Sequence, residues 1–308
     1  MTSAFPAGDP RNTLSGGTGQ AAPAAAPKPT GFGPAEYVIF HDEKPAAADA
    51  AQRTWWARGN NFYIAYTEAE PGTVLTRAGQ PDESVVLLPD PATRVRVTVG
   101  GETVEVPGYT VSMLAAGDST VEVLAGGTVI RLFTAEGPEP AEQVINAVHY
   151  TAPKPNVAPL GAWPEPAERK AVRTYSLDVA KQEGRFGRIF RSSTFMVNWI
   201  EPYDGPRDPR RMSPHHHDDF EQCSLALEGE FEHHIRWPWI SDSTQWREDE
   251  HTRVGSPSIA VIPPPTVHTT RGVGAGHNQM VDIFCPPRHD FAAKPGWVLN
   301  AADYPDPA

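Results

Sequence analysis

The chain reads as all-β, and three observations carry that assignment. Its 33 prolines and 26 glycines among 308 residues divide it into short segments bounded by turn formers, as a protein of many strands and frequent turns requires. The segments between those turns are apolar or alternating runs too short for helices of ordinary length. The two halves also repeat each other: Asn61-Phe-Tyr-Ile-Ala-Tyr-Thr-Glu lines up with Thr194-Phe-Met-Val-Asn-Trp-Ile-Glu, and such self-similarity bears directly on architecture.

Taken in order, residues 1–30 are rich in Ala, Pro and Gly, lack the apolar content to fix themselves to a core, and are expected to form a tail. Residues 31–135 form the first half. Strands are expected at 62–67, 84–88, 94–99, 102–106, 110–114, 119–124 and 128–134, with Gly100-Gly101 and Gly126-Gly127 as hairpin turns because glycine reaches positive φ. Residues 136–185, with repeated Pro-x-Pro, read as connection. Residues 186–308 form the second half, with strands expected at 195–200, 222–227, 231–237, 258–262, 267–271 and 278–284. An arm from Trp297 to Tyr304 follows, packed by aromatics.

A net charge of −12 without a basic run repels phosphate backbones and anionic lipid, so neither nucleic acid nor a membrane is an expected partner. No apolar stretch approaches the ~20 residues of a spanning helix, and the start lacks a basic end followed by an apolar block. The chain is therefore expected to be soluble and cytoplasmic. Cys223 and Cys285, both in apolar runs, read as reduced core thiols.

Chemistry concentrates between Pro214 and Gly229: three consecutive histidines, two acids, Glu221-Gln222, then an apolar run ending in glycine. On extended backbone, His215 and His217 share a face and His216 points away, which presents paired imidazoles to a metal. His268, after Ile-Pro-Pro-Pro-Thr-Val, can complete the set. Aligning the halves leaves Thr120 where the second has His268, and the first half has no histidine from Glu43 to Val148. One metal per chain, in the second half, is expected.

These residues resemble the cupin superfamily, whose first motif is His-x-His, then three or four intervening residues, a glutamate, six more residues and a glycine. Its second motif is Pro-x-Gly followed by a histidine after two residues. His215, His217, Gly229, Pro263 and His268 match in order. With the repeat, the chain is similar to bicupins, which implies two tandem antiparallel cupin (double-stranded β-helix or jelly-roll) barrels and a tendency to form homo-oligomers. Six residues separate Gln222 from Gly229, so Gln222 takes the family's glutamate position as fourth ligand beside His215, His217 and His268. Matching Leu88 with Leu227 sets Glu83 opposite Gln222. Glu221 is then expected to face out, although a one-residue slip would exchange the two roles. Pro265 replaces the motif glycine, so the turn before His268 must be built differently.

Neutral imidazoles with one oxygen ligand suit one divalent transition metal, Fe, Mn, Ni, Cu or Zn. Candidate catalytic residues are Glu221, His233, His234 and Arg236, with one of the adjacent histidines expected inside the barrel. Arg236, Arg271 and Gln279 are candidates for holding an anionic small-molecule substrate. Trp237, Trp239 and Trp246 lie in a long insertion that either caps the barrel mouth or packs on the other barrel. Three function classes follow. The first is an oxygenase of an enolizable or catechol-like substrate; the second is an isomerase or lyase of a sugar acid or related carbonyl compound; the third is a binding barrel without catalysis.

Overall fold

The computed structural model describes residues 31–140, 143–161 and 163–305. The expected tail at 1–30 lies outside them. Among the described residues no helix is long and apolar enough to cross a membrane.

Two open sheets stand back to back, and each is faced on its far side by a smaller sheet. In the first barrel the large sheet runs Val172–Ser176, Thr110–Leu114, Ser84–Leu88, Gly127–Thr134, Phe62–Ala69, Gln52–Arg58 and Ala47–Ala48. In the second it runs Glu36–Ile39, Ser258–Ile262, Gln222–Glu228, His277–Phe284, Met196–Ile200 and Gly187–Arg191, the order of the first six strands of the other sheet. The small sheets are Val74–Gln80, Gly117–Ala125, Arg94–Val99, Glu102–Pro107 in the first, and Glu250–Gly255, Glu230–Arg236, Val267–Gly272 in the second.

Side chains alternate across these strands, so each large sheet has one face inside its barrel and one against the other barrel. The shared face is the largest apolar cluster: Phe62, Ile64, Val85 and Leu87 meet Val197, Cys223, Leu225 and Ile283. Both cysteines are buried there as free thiols. Inside the first barrel, Leu75, Val86, Leu88, Val95, Val97, Val121, Val123 and Val129 fill the space between the sheets. Inside the second, Phe32, Ile235, Trp237, Ala260 and Ile262 pack one end.

The edges depart from the boundaries expected at residues 135 and 185. Glu36–Ile39, expected within the first barrel, pairs with Ser258–Ile262 of the second. Val172–Ser176, expected as connection, pairs with Thr110–Leu114 of the first. Each barrel thus borrows its edge strand from the segment preceding the other, and in each case an otherwise open ladder of backbone N–H and C=O groups is covered.

Gly100-Gly101 is the expected hairpin, with both φ values positive. Gly126-Gly127 is not: the strands it joins lie in different sheets, so the chain crosses the barrel there, and a Cβ on Gly126 would sit 2.9 Å from the Ala69 carbonyl oxygen. Gly229 makes a crossing of the opposite sense in the second barrel, from the large sheet to the small one. Its φ is 96°, and a Cβ would approach Asn278 Oδ1 to 2.5 Å, so no larger residue fits without a shift.

Register corrects the repeat alignment by one. Leu87 pairs with Val111 and Ile130, and Leu225 pairs with Ile259 and Val281. Leu87 therefore matches Leu225, Ser84 matches Gln222, and Glu83 matches Glu221. Both glutamates make the same bond across the interface. Glu221 Oε2 accepts from the Asn60 backbone N–H at 2.6 Å, and Glu83 Oε2 accepts from the Ser193 N–H at 2.8 Å. The repeat continues further than expected, since Ile145-Asn-Ala-Val-His-Tyr matches Leu299-Asn-Ala-Ala-Asp-Tyr. Asn146 exchanges two backbone hydrogen bonds with Arg58, as Asn300 does with Arg191. The guanidinium groups of Arg58 and Arg191 lie over Tyr150 and Tyr304 at 5.1 and 5.4 Å.

Candidate metal centre

His215 and His268 are placed by the backbone itself. The two residues form an isolated antiparallel bridge, with N–H to carbonyl distances of 3.0 and 2.8 Å, which sets their rings 4.5 Å apart. The matching rung of the first barrel pairs Thr76 with Thr120. The turn before His268 closes without the motif glycine: Pro264-Pro265 is cis, and the Thr266 hydroxyl donates to the Pro263 carbonyl at 2.6 Å. His217, two residues beyond His215, has its ring 5.1 Å from each of the other two. His216 points away to Asp218.

Ligand atoms of His215, His217 and His268 lie within 4.8 Å of one another. Nδ1 of His215 donates to the Ser213 carbonyl at 2.9 Å, and Nδ1 of His268 donates to the Thr266 carbonyl at 3.0 Å, which leaves Nε2 of each ring with its lone pair for a metal. Burial is the first cause that lowers His217 to a pKa of about 2 and His268 to about 3; the Arg288 charge adds to both, and neighbouring histidines add further. Both rings are therefore neutral at pH 7, the form that binds metals. Phe220 stacks on His217 at 4.6 Å and Phe284 meets it edge-on, so its ring is held in one orientation.

Gln222 faces the barrel interior. Its Oε1 lies 3.0 Å from His217 Nε2 and 3.3 Å from His268 Nε2. Its Nε2 donates to Ser224 Oγ at 3.0 Å and to Asp282 Oδ1 at 3.2 Å. Three clustered imidazoles, two of them within reach of an amide oxygen, make a donor set that fits a divalent transition metal.

The other candidates are dispersed. Glu221 faces the opposite side, as parity requires, but it is buried at the barrel interface rather than solvated, and desolvation pushes its pKa up to about 7. His233 is inside the barrel, bonded to Thr270 Oγ1 at 2.9 Å, with its pKa lowered to about 4 by burial. His234 faces outward and meets His251. Arg236 is an exposed partner of Asp249, Arg271 donates to the Arg207 carbonyl, and Gln279 donates to the Ile200 and Met280 carbonyls. Trp237 is buried under Arg247, which also donates to the Phe32 and Gly33 carbonyls, so the insertion fastens the segment preceding Glu36–Ile39. Trp239 and Trp246 stack on each other, exposed.

A cavity of about 670 Å³ opens beside His215 and Gln222. Asn198, Asp282 and Phe284 line it, with five cations, Lys181, Arg185, Arg207, Arg288 and Lys294, against three carboxylates. Arg207 is held by its hydrogen bonds to the Thr270 and Arg211 carbonyls, and Arg288 by two parallel hydrogen bonds to the Asp290 carboxylate. Sequence reasoning overlooked Asn198, Asp282 and Arg288. For the first two a signal was present, since each is a polar residue interrupting an apolar strand.

No family model and no curated protein matches the chain. Among solved structures it is similar to a variant of the oxalate decarboxylase of Bacillus subtilis, at 12% identity and a TM-score of 0.56 over 86% of this chain and 82% of that one. A second structure of that enzyme, studied for its Mn(II) centres, gives the same figures. The oxalate decarboxylase of Lactobacillus farciminis in complex with formate also aligns at 12% identity and 0.56, over 86% of this chain and 92% of that one. Two similar barrels in one chain, back to back, with a histidine cluster, among the described residues, only in the second, give this protein the bicupin fold.

Proposed function

We propose that the second barrel is a metal-dependent active site for a small carboxylate, and that the reaction is a lyase or isomerase step. The observation that carries this is the cavity beside His215, whose wall is cationic on a chain of net charge −12. Such a wall draws an anion into an otherwise anionic protein. Its volume lies within the ~300–1,000 Å³ of small-molecule sites and leaves room for acids larger than oxalate. Resemblance to oxalate decarboxylases favours carbon–carbon bond cleavage over the oxygenation of a catechol-like substrate, which was the first expectation.

His215, His217, His268 and Gln222 would hold the metal, which when bound polarises a carbonyl or carboxylate oxygen as a Lewis acid. Arg207 and Arg288 orient the anion, each already fixed by its own partners and so losing little freedom when the substrate arrives. Phe284 and Phe291 keep the wall beside them apolar, which strengthens those ion pairs. His233 bonds Thr270, itself in the cavity wall, and is neutral at pH 7, able to take up a proton through that hydroxyl.

The full chain, loaded with Mn(II), Fe(II) or Zn(II), is to be assayed against two-carbon diacids, hydroxy acids and keto acids with an oxygen electrode in the cell. Turnover without stoichiometric O2 uptake is expected. O2 consumed one-for-one with a catechol or enediol would return the oxygenase reading, and loaded protein inert towards every acid would leave a binding barrel.

A further inference from the structure

The metal centre as read above brings no negative charge to its ion. Three neutral imidazoles and an amide oxygen surround a divalent cation in a site where His217 and His268 are almost fully buried. Leaving such a charge uncompensated is costly in a medium of low dielectric. A carboxylate lies one strand away. Asp282 stands beside Gln222 on His277–Phe284, its Oδ1 accepting from Ser224 Oγ at 2.7 Å and from Gln222 Nε2 at 3.2 Å. It is outside the group of converging ligand atoms.

The amide's orientation follows from this contact. Gln222 Nε2 has two hydrogens, and both have acceptors: one reaches Ser224 Oγ and the other Asp282 Oδ1. Turned over, the amide would set Oε1 against the Asp282 carboxylate, two acceptors in contact with no hydrogen between them. Asp282 therefore keeps the carbonyl oxygen on the metal side.

The first barrel supplies the contrast. Asp282 pairs with Asn198 and with Ser224, and the matching position, Arg131, pairs with Ala65 and with Val86. Ser84 stands where Gln222 does. The barrel without the histidine cluster thus has a guanidinium where the other has its carboxylate, buried among Trp56 and Phe133. The opposite charges sit on the same rung, and only one sign suits a cation.

We propose that Asp282 is a positioning and charge-compensating residue of the metal centre: it supplies the negative charge that Gln222 lacks and holds the Gln222 carbonyl toward the ion. The two side chains together do what a single glutamate does at the motif position. This rests on the metal-centre reading, and the test separates the two.

Mn(II) affinity of the full chain is measured by competition with a chromophoric chelator, for the wild type and for Asp282→Asn, Gln222→Glu and the double exchange Gln222→Glu with Asp282→Asn. Partners behind a ligand typically change metal affinity 10- to 100-fold. Asp282→Asn is expected to weaken binding by about that factor, while the double exchange, which moves the carboxylate to the motif position, returns it to within a few-fold of wild type. Melting without metal reads folding separately, and the rise in Tm on adding Mn(II) reads binding independently of activity. Should Asp282→Asn not accumulate, the double exchange decides by the same criterion. Asp282→Asn binding like the wild type, or a folded double exchange binding at least tenfold more weakly, would overturn the role of Asp282 alone. A wild type that takes up no Mn(II) would defeat the metal centre itself.

Discussion

Among single residues, the neighbours Glu221 and Gln222 show how one step along a strand separates two roles. Gln222 is directed at the histidines, and Glu221 at the backbone of Asn60 in the other barrel. Gln222→Ala should therefore lower metal affinity at least tenfold, and Glu221→Ala should leave affinity nearly unchanged while lowering stability. Metal titration paired with thermal melting checks both, and the reverse pattern would return the fourth-ligand role to Glu221. Glu221 also carries a pH dependence. Its pKa in the folded chain, about 7, is above its ordinary value, so the folded state holds a proton that the unfolded state has released. Its contribution is complete below pH ~4.5 and is lost as pH rises through about 7. His217, His268 and His233, all lowered, act oppositely, favouring stability as pH rises toward their ordinary value. Comparing Tm of wild type and Glu221→Gln from pH 4 to 8 isolates the first effect: the wild type should lose stability relative to the variant across pH 4.5–7. A constant difference would show that Glu221 does not titrate in that window.

Elements were legible in proportion to how locally they are determined. The strands at Ser84–Leu88, Thr110–Leu114 and Ser258–Ile262 are short, mainly apolar runs between turn formers, and their bounds could be read directly. Glu36–Ile39 and Val172–Ser176 are short, and their partners lie far along the chain, so nothing nearby marks them as edges. Gly126-Gly127 marks a turn, but a glycine pair does not say whether the strand that follows pairs with its predecessor or crosses the barrel. Register suffered similarly, because short repeats such as 84–88 and 222–228 align almost equally well one residue apart, and parity emerges only when paired strands share a core. The His215 and His217 pair was legible because its spacing is local. Asp282 was not singled out, because its meaning depends on a partner 60 residues away along the chain. The borrowed edge gives an expectation of its own: replacing Val38, buried in the shared core, with Asp should lower Tm and metal retention together. Loss of neither would mean the edge is dispensable.

On the scale of the molecule, the two barrels share one core and exchange edge strands, and each glutamate lock reaches into the other half. The first barrel is filled with valine where the second keeps a cavity lined by charged side chains together with Phe284 and Phe291. Residues 186–308 expressed alone lack Glu36–Ile39 and one side of the largest apolar cluster. They are expected to aggregate or to bind no metal, while the whole chain melts in one transition. A soluble, metal-binding fragment would contradict that dependence. All of this turns on whether the second barrel is a metal centre, and elemental analysis of freshly purified protein answers most directly. Near one equivalent of a divalent transition metal per chain is expected, and near zero in His217→Ala of unchanged fold. Two equivalents in the wild type, or an equivalent that survives in His217→Ala, would contradict a single site built on these histidines.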